Sequence, residues 1–185
     1  ICVDGGSTDS GPFYLGTGTS KYSRAATKEE WRRLMIAREE AGVPLVIGTC
    51  GTCGADAAVD WMLSITQELA EELGQNVKIA ALYSSQMTPV VQTALYDGRI
   101  VPLSPAPDIS DEALSRTENI VALAGAEQIN AALDTGADIV LCGRATDTAI
   151  VSALPLKRGE HAGAAWHGAK IAECGALCST DPTSG

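Results

Sequence analysis

One unit recurs along this chain and limits what it can fold into: an unbroken apolar run, a polar or glycine-rich loop, then an amphipathic helix. Ile1-Cys2-Val3, Leu45-Val46-Ile47, Ile79-Ala80-Ala81-Leu82 and Asp138-Ile139-Val140-Leu141-Cys142 read as strands buried on both sides. Between them lie helical patterns. Thr27-Lys28-Glu29-Glu30 has the spacing of a capping box, followed by Trp31, Leu34, Met35 and Ala41 on one face and by Gly42 as a stop. A second helix is expected over 55–73, with Val59, Met62, Leu63, Leu69 and Leu73 inward, and a third after the polar Ser84-Ser85-Gln86 up to Tyr96. Ile100-Val101-Pro102-Leu103 reads as a shorter extended piece. Ser110 is placed to cap a helix carrying Leu114, Ile120, Val121 and Leu123, broken at Gly125 and resumed over 127–133. Gly143-Arg144-Ala145-Thr146-Asp147 opens a helix ending near Leu154-Pro155, and the last helix is expected from 163 or 164 to 178, with 179–185 as a tail.

Continuous apolar strands alternating with helices predict an α/β fold, a mostly parallel sheet with helices on both faces in Rossmann-like layers. Right-handed crossovers carry the loops after the strands to one edge, so the loops at 4–12, 48–56, 84–87 and 143–148 should converge there. A length of 185 residues suits a single domain over 1–185, and 19 glycines with 4% aromatics suit closely packed layers. The formal net charge of −10 disfavours nucleic acid or an anionic membrane surface as partner. No apolar run approaches the ~18 residues of a membrane span. Six cysteines are too few for a disulfide scaffold, which points to reduced thiols and a cytoplasmic protein. The chain opens without Met on a strand already under way, so residues are expected upstream.

Four stretches carry chemistry. Asp4-Gly5-Gly6-Ser7-Thr8-Asp9-Ser10-Gly11-Pro12 follows the first strand and packs carboxylates and hydroxyls around glycines that let backbone approach a ligand. A surface turn would use the same residue types. Gly143-Arg144-Ala145-Thr146-Asp147-Thr148 combines a helix N-terminus, whose amides favour anions, with a guanidinium and a carboxylate. The alternative is that Asp147 only caps its helix and pairs with Arg144. The loop at 48–54 offers amides, those of Gly51 and Gly54 among them, that could cradle an anion. Its Cys50-x-x-Cys53, joined with Cys174 and Cys178, would make four thiols for zinc, but small-residue packing is the preferred reading. On the last helix His167, Lys170 and Glu173 fall within about 60° of one face, an acid–base ladder or a solvated surface.

Three of these stretches together resemble the acyclic terpene utilisation (AtuA-like) family. They are Val3-Asp4-Gly5-Gly6-Ser7-Thr8-Asp9-Ser10-Gly11-Pro12-Phe13-Tyr14-Leu15-Gly16, the run Gly136-Ala137-Asp138 through Asp147-Thr148-Ala149, and Ala165-Trp166-His167 through Glu173-Cys174-Gly175-Ala176. The resemblance implies an α/β protein connected with the breakdown of branched acyl-CoA compounds, and a family chain longer than this one at both ends. The resemblance also implies a run of Gly, Ala and Ser at 48–54 in relatives, which tells against Cys50 and Cys53 as ligands.

The expected function is therefore an enzyme acting on a small carboxylate or branched acyl-CoA by proton transfer next to a carbonyl, of hydratase, lyase or isomerase type. Asp4, Asp9, Asp147 and His167 are the candidate catalytic residues. Gly5, Gly6, Ser7, Thr8, Gly51, Gly54, Gly143, Arg144, Thr148, Lys170 and Glu173 are the candidate binding residues. A divalent metal is the candidate cofactor, and a homo-oligomer or an additional family domain the candidate protein partner. A non-catalytic acyl-CoA or organic-acid binding subunit and a metal-dependent hydrolase stand as alternatives.

Overall fold

The computed structural model describes residues 1–7, 10–175 and 180. Strands β1 (Cys2–Gly6), β2 (Leu45–Thr52), β3 (Ile79–Leu82) and β4 (Ile139–Cys142) form one all-parallel sheet in the order β1-β2-β4-β3. The helices among the described residues are α1 (Phe13–Thr17), α2 (Arg24–Ala41), α3 (Asp56–Leu73), α4 (Thr88–Tyr96), α5 (Asp111–Ser115), α6 (Ala126–Asp134), α7 (Asp147–Lys157) and α8 (Ala162–Ala172). This is the α/β architecture that the alternation of strand and helix predicts.

The sheet separates two cores. Leu45, Ile47, Ile139 and Leu141 pack against Trp31 and Met35 of α2 and Val59, Met62, Ile65 and Leu69 of α3. Their neighbours Val46, Val140 and Cys142 point the other way, onto Ile129 of α6 and Ala149, Ile150 and Ala153 of α7. Connections running from β1 towards β3 thus place α2 and α3 on one face. The return from β3 to β4 places α6 on the other, as right-handed crossovers of opposite travel require.

Several boundaries differ from expectation. Helix α2 begins at Arg24, one turn before the Thr27 capping box, because Ser23 already accepts the Ala26 N–H at 3.2 Å. Its inward face is Trp31, Met35 and the stem of Arg38, while Ala41 is exposed. Strand β2 does not stop at Ile47 but continues, fully buried, through Thr52. Positive φ at Thr49 (54°), Gly51 (63°) and Thr52 (70°) distorts this extension, and the pairing with β1 shifts register between Asp4 and Gly6. Ile100-Val101-Pro102-Leu103 is no strand, and Val101 and Leu103 stand out in solvent.

The helix begun at Ser110 ends at Ser115, so residues 120–124 are not helical. They run extended over the carboxyl edge of the sheet. Gln86 N–H donates to Ile120 O (2.8 Å), Ala122 N–H to Ser84 O (2.8 Å) and Ala124 N–H to Arg144 O (2.9 Å). Backbone bonds to the strand-end loops outweigh a helical spacing of Ile120, Val121 and Leu123. Helix α8 starts one residue earlier than expected, with the His161 ring capping Ala164 N–H, and stops at Ala172. The expected continuation through 176–178 lies outside the described residues.

Candidate functional site

The loops after β1, β2 and β4 meet at one edge of the sheet. β2 and β4 are neighbours whose following helices, α3 and α7, depart to opposite faces, which opens a crevice between the loops. A cleft of about 540 Å³ lies there, with Ser7, Thr52, Cys53 and Arg144 on its polar side and Pro12, Tyr14, Leu15, Val121 and Leu123 on its apolar side. A second cleft of about 420 Å³ flanks β1 beside α2 and α3 and is lined by Asp4, Gly5, Gly6, Glu30 and Trp61. Thr52 borders both.

Arg144 is the best-positioned of the expected residues. Its backbone is held on both sides, the N–H donating to Gly54 O (3.1 Å) and the C=O accepting from Ala124 N–H (2.9 Å) and Ser84 Oγ (3.2 Å). Its guanidinium makes no ion pair or hydrogen bond among the described residues. It passes over Gly6: a Cβ there would lie 3.3 Å from Arg144 Nη1 and 3.3 Å from Asp4 Oδ1. Thr49 Cβ would be nearer still at 3.1 Å, so the absence of a side chain at Gly6 lets the carboxylate and the guanidinium close around it. Gly5 serves a different end, because a Cβ would come within 2.9 Å of Gly48 O, so it allows β1 and β2 to approach.

Asp4 is half-buried and accepts the Gly6 N–H at 2.9 Å. Burial pushes its carboxyl above the ordinary carboxylate value, and the charges of Asp147 and Glu173 add to this. The Gly6 N–H and Arg144 act in the opposite direction without cancelling it. Three expected residues, Arg144, Asp147 and Glu173, are thereby each within electrostatic reach of Asp4. Lys170 joins through its ion pair with Glu173, which raises the lysine's pKa.

Asp147 and Thr148 stand half-buried in the first turn of α7, but the cap is Thr146, whose hydroxyl accepts from Ala149 N–H. Asp147 is therefore neither the cap nor within ion-pair distance of Arg144. His167 is exposed on α8 and has no hydrogen bond or ion pair among the described residues. The Ser7 hydroxyl shares a 2.6 Å hydrogen bond with Ser10, which also receives Lys21 Nζ at 3.0 Å. Thr8 and Asp9 lie outside the described residues.

The amides of the glycine-rich loops are largely spent inside the fold. Gly54 N–H donates to Cys50 O (3.0 Å) and Gly143 N–H to Leu82 O (2.6 Å), leaving neither for a bound anion. Gly54 instead allows contact with the β4 loop, since a Cβ would fall 2.4 Å from Arg144 N. Gly51 allows β2 to touch α3, a Cβ falling 2.8 Å from Ala58 Cβ.

Cys50, Cys53 and Cys142 are buried free thiols, Cys2 and Cys174 are exposed ones, and Cys178 lies outside the described residues. Among the described residues no three His, Cys, Asp or Glu side chains come together to hold a metal ion.

Sequence reasoning missed Thr52 and the 121–123 wall. Thr52 sits between Gly51 and Cys53 in a run read as a loop, and its only signal was a β-branched residue among glycines. Residues 121–123 were concealed by their helical spacing.

The chain belongs to the acyclic terpene utilisation family: the model described as acyclic terpene utilisation family protein AtuA matches residues 21–179. The match includes the Arg144 loop and the ladder on α8, and the Asp4 loop precedes it. No curated protein and no solved structure matches the chain. Among the described residues no helix is long and apolar enough to cross a membrane.

Proposed function

We propose that this member of the acyclic terpene utilisation family is a cytoplasmic catabolic enzyme that moves a proton next to the carbonyl of a small carboxylate or branched acyl thioester. The hydratase, lyase and isomerase classes all share that step. The supporting observation is the pair flanking Gly6: a carboxyl with a raised pKa and a guanidinium unpaired among the described residues, both 3.3 Å from the position of an absent Cβ. A carboxyl held above its ordinary value is better matched to proton transfer near neutral pH than an exposed one.

In this reading Arg144 receives the substrate's carbonyl or carboxylate oxygen. Asp4 removes the proton from the adjacent carbon, the electron pair moves towards the oxygen, and the guanidinium offsets the charge that develops there. The proton on Asp4 then returns to the same or a neighbouring carbon. Asp147 and Glu173 keep Asp4 basic, and Lys170 limits the excess negative charge through Glu173. The free thiols of Cys2, Cys50, Cys53, Cys142 and Cys174 support a reducing compartment.

The test is solvent-deuterium exchange into a panel of branched acids and their CoA thioesters, followed by mass spectrometry. Exchange that is lost in Asp4→Asn, and that needs more substrate in Arg144→Gln, is expected. Ligand binding without exchange would instead identify a binding subunit.

A further inference from the structure

We infer that Thr52 and Arg144 together form the subsite for the charged end of the ligand, and that the ligand is a free carboxylate with a short hydrocarbon chain. This rests on the reading of the cleft as the substrate site and narrows it to one of the two classes proposed there.

Thr52 departs from what the fold needs in two ways. Thr52 is only 4% exposed, yet its Oγ1 has no hydrogen-bond partner among the described residues. Buried hydroxyls are almost always paired, and an unpaired one destabilises the native state. Its φ of 70° is also one that β-branched residues avoid. Of the nearby left-handed positions, 51 (63°) and 54 (69°) carry glycine, and 49 (54°) carries a threonine whose hydroxyl, unlike that of Thr52, is paired with the Ala145 backbone. Glycine at 52 would remove both penalties, so the hydroxyl answers a requirement other than folding.

Its position says which requirement. Thr52 pairs with Gly6 in the sheet, and Arg144 lies over Gly6. Thr52 and Arg144, whose hydroxyl and guanidinium are both without a hydrogen-bond partner among the described residues, therefore line the same cleft. A carboxylate has two oxygens with lone pairs in one plane. It can accept from the guanidinium and from the hydroxyl at once.

Charge selects the ligand further. Arg144 is the only cation lining the cleft among the described residues, it feels the Asp4 carboxylate, which in turn feels Asp147 and Glu173, and the chain's net charge is −10. That field suits a single negative charge and repels the several phosphate charges of a CoA thioester. The same cleft is lined by the apolar Tyr14, Leu15, Val121 and Leu123, and a volume of about 540 Å³ holds a short branched chain.

Titration calorimetry with isocaproate, its CoA thioester and inorganic phosphate tests this, on the intact chain and on Thr52→Gly, Thr52→Ser and Arg144→Gln. Isocaproate should bind best. Thr52→Gly should weaken it about tenfold or more, as for loss of a hydrogen bond to a charged group, while raising the melting temperature. Thr52→Ser should restore affinity. A gain in melting temperature separates lost binding from failed folding. Unchanged affinity in Thr52→Gly overturns the role of the hydroxyl. Tighter binding of the thioester, or of phosphate, overturns the free-acid assignment but leaves proton transfer standing. Absence of binding and of deuterium exchange for both acid and thioester removes both readings.

Discussion

Asp4 shows how a single side chain can work against the fold that holds it. Burial beside Asp147 and Glu173 raises its pKa above the unfolded value near 3.8, so the folded state holds this proton more tightly than the unfolded state does. Its ionisation therefore subtracts from stability, beginning as pH rises past the unfolded value and complete above the folded one. Asn at this position keeps an oxygen for the Gly6 N–H and cannot ionise. Asp4→Asn is expected to melt higher than the parent at pH 7, with the difference shrinking as pH falls towards 4. Melting curves across that range check it. A variant that melts lower at pH 7 would show that the charged form of Asp4 supports the fold. Arg144 and the Asp4 loop were legible in the sequence, because a charged group at the end of a buried strand is hard to explain by packing. Thr52 was not legible, because its two anomalies, an unsatisfied hydroxyl and a positive φ, exist only in three dimensions.

At the scale of elements, the site depends on how closely the ends of β2 and β4 meet. Gly54 and Gly143 are the contact: Arg144 N–H donates to Gly54 O at 3.1 Å, and a Cβ on Gly143 would lie 2.9 Å from that same oxygen. Gly54→Ala would set a methyl 2.4 Å from Arg144 N at a φ of 69°. Positive-φ strain of about 1–3 kcal/mol and overpacking of about 1–3 kcal/mol act together here, since the obstructing atoms are backbone. A loss of about 3 kcal/mol or more in urea unfolding is expected, with ligand affinity falling as Arg144 moves. A loss under about 1 kcal/mol would show that the two loops separate freely.

The inner strands β2 and β4 could be read from their apolar runs, since both their faces are covered, whereas β1 and β3, also expected to be buried, are edge strands with Cys2 and Ala81 exposed. The overrun of β2 could not, because apolar periodicity carries no record of left-handed residues that bend a strand without ending it. The misreading at 120–124 has the same source. Spacing reports side chains, and there the backbone pairing to Ser84, Gln86 and Arg144 decided the conformation.

For the whole molecule, the two-core architecture followed from the repeat, whereas the return of β4 between β2 and β3 is a choice of connection that no local pattern encodes. That return also puts Cys142 at the centre of the sheet, fully buried as Cys50 is. Burial pushes the Cys142 thiol up to about 12 and the Cys50 thiol well above its ordinary value near 9. At pH 8 a thiol with that value is ionised in about one molecule in ten thousand, and the thiolate is the reactive form. Modification by a disulfide reagent must therefore await unfolding, and the labelling of both residues should proceed at the rate of global opening. The same shifts fix a sign: in the unfolded chain these thiols ionise near 9, so their contribution to stability is intact below that pH and is lost as pH rises beyond it. Mass-spectrometric labelling at increasing urea concentration is the measurement, with Cys174 as the exposed reference. A chelator added to the same samples should leave the melting temperature unchanged, because a structural metal would contribute folding energy outright. Rapid labelling of Cys50 in native buffer would contradict its burial, and stoichiometric zinc released with unfolding would overturn the assignment of these cysteines to packing.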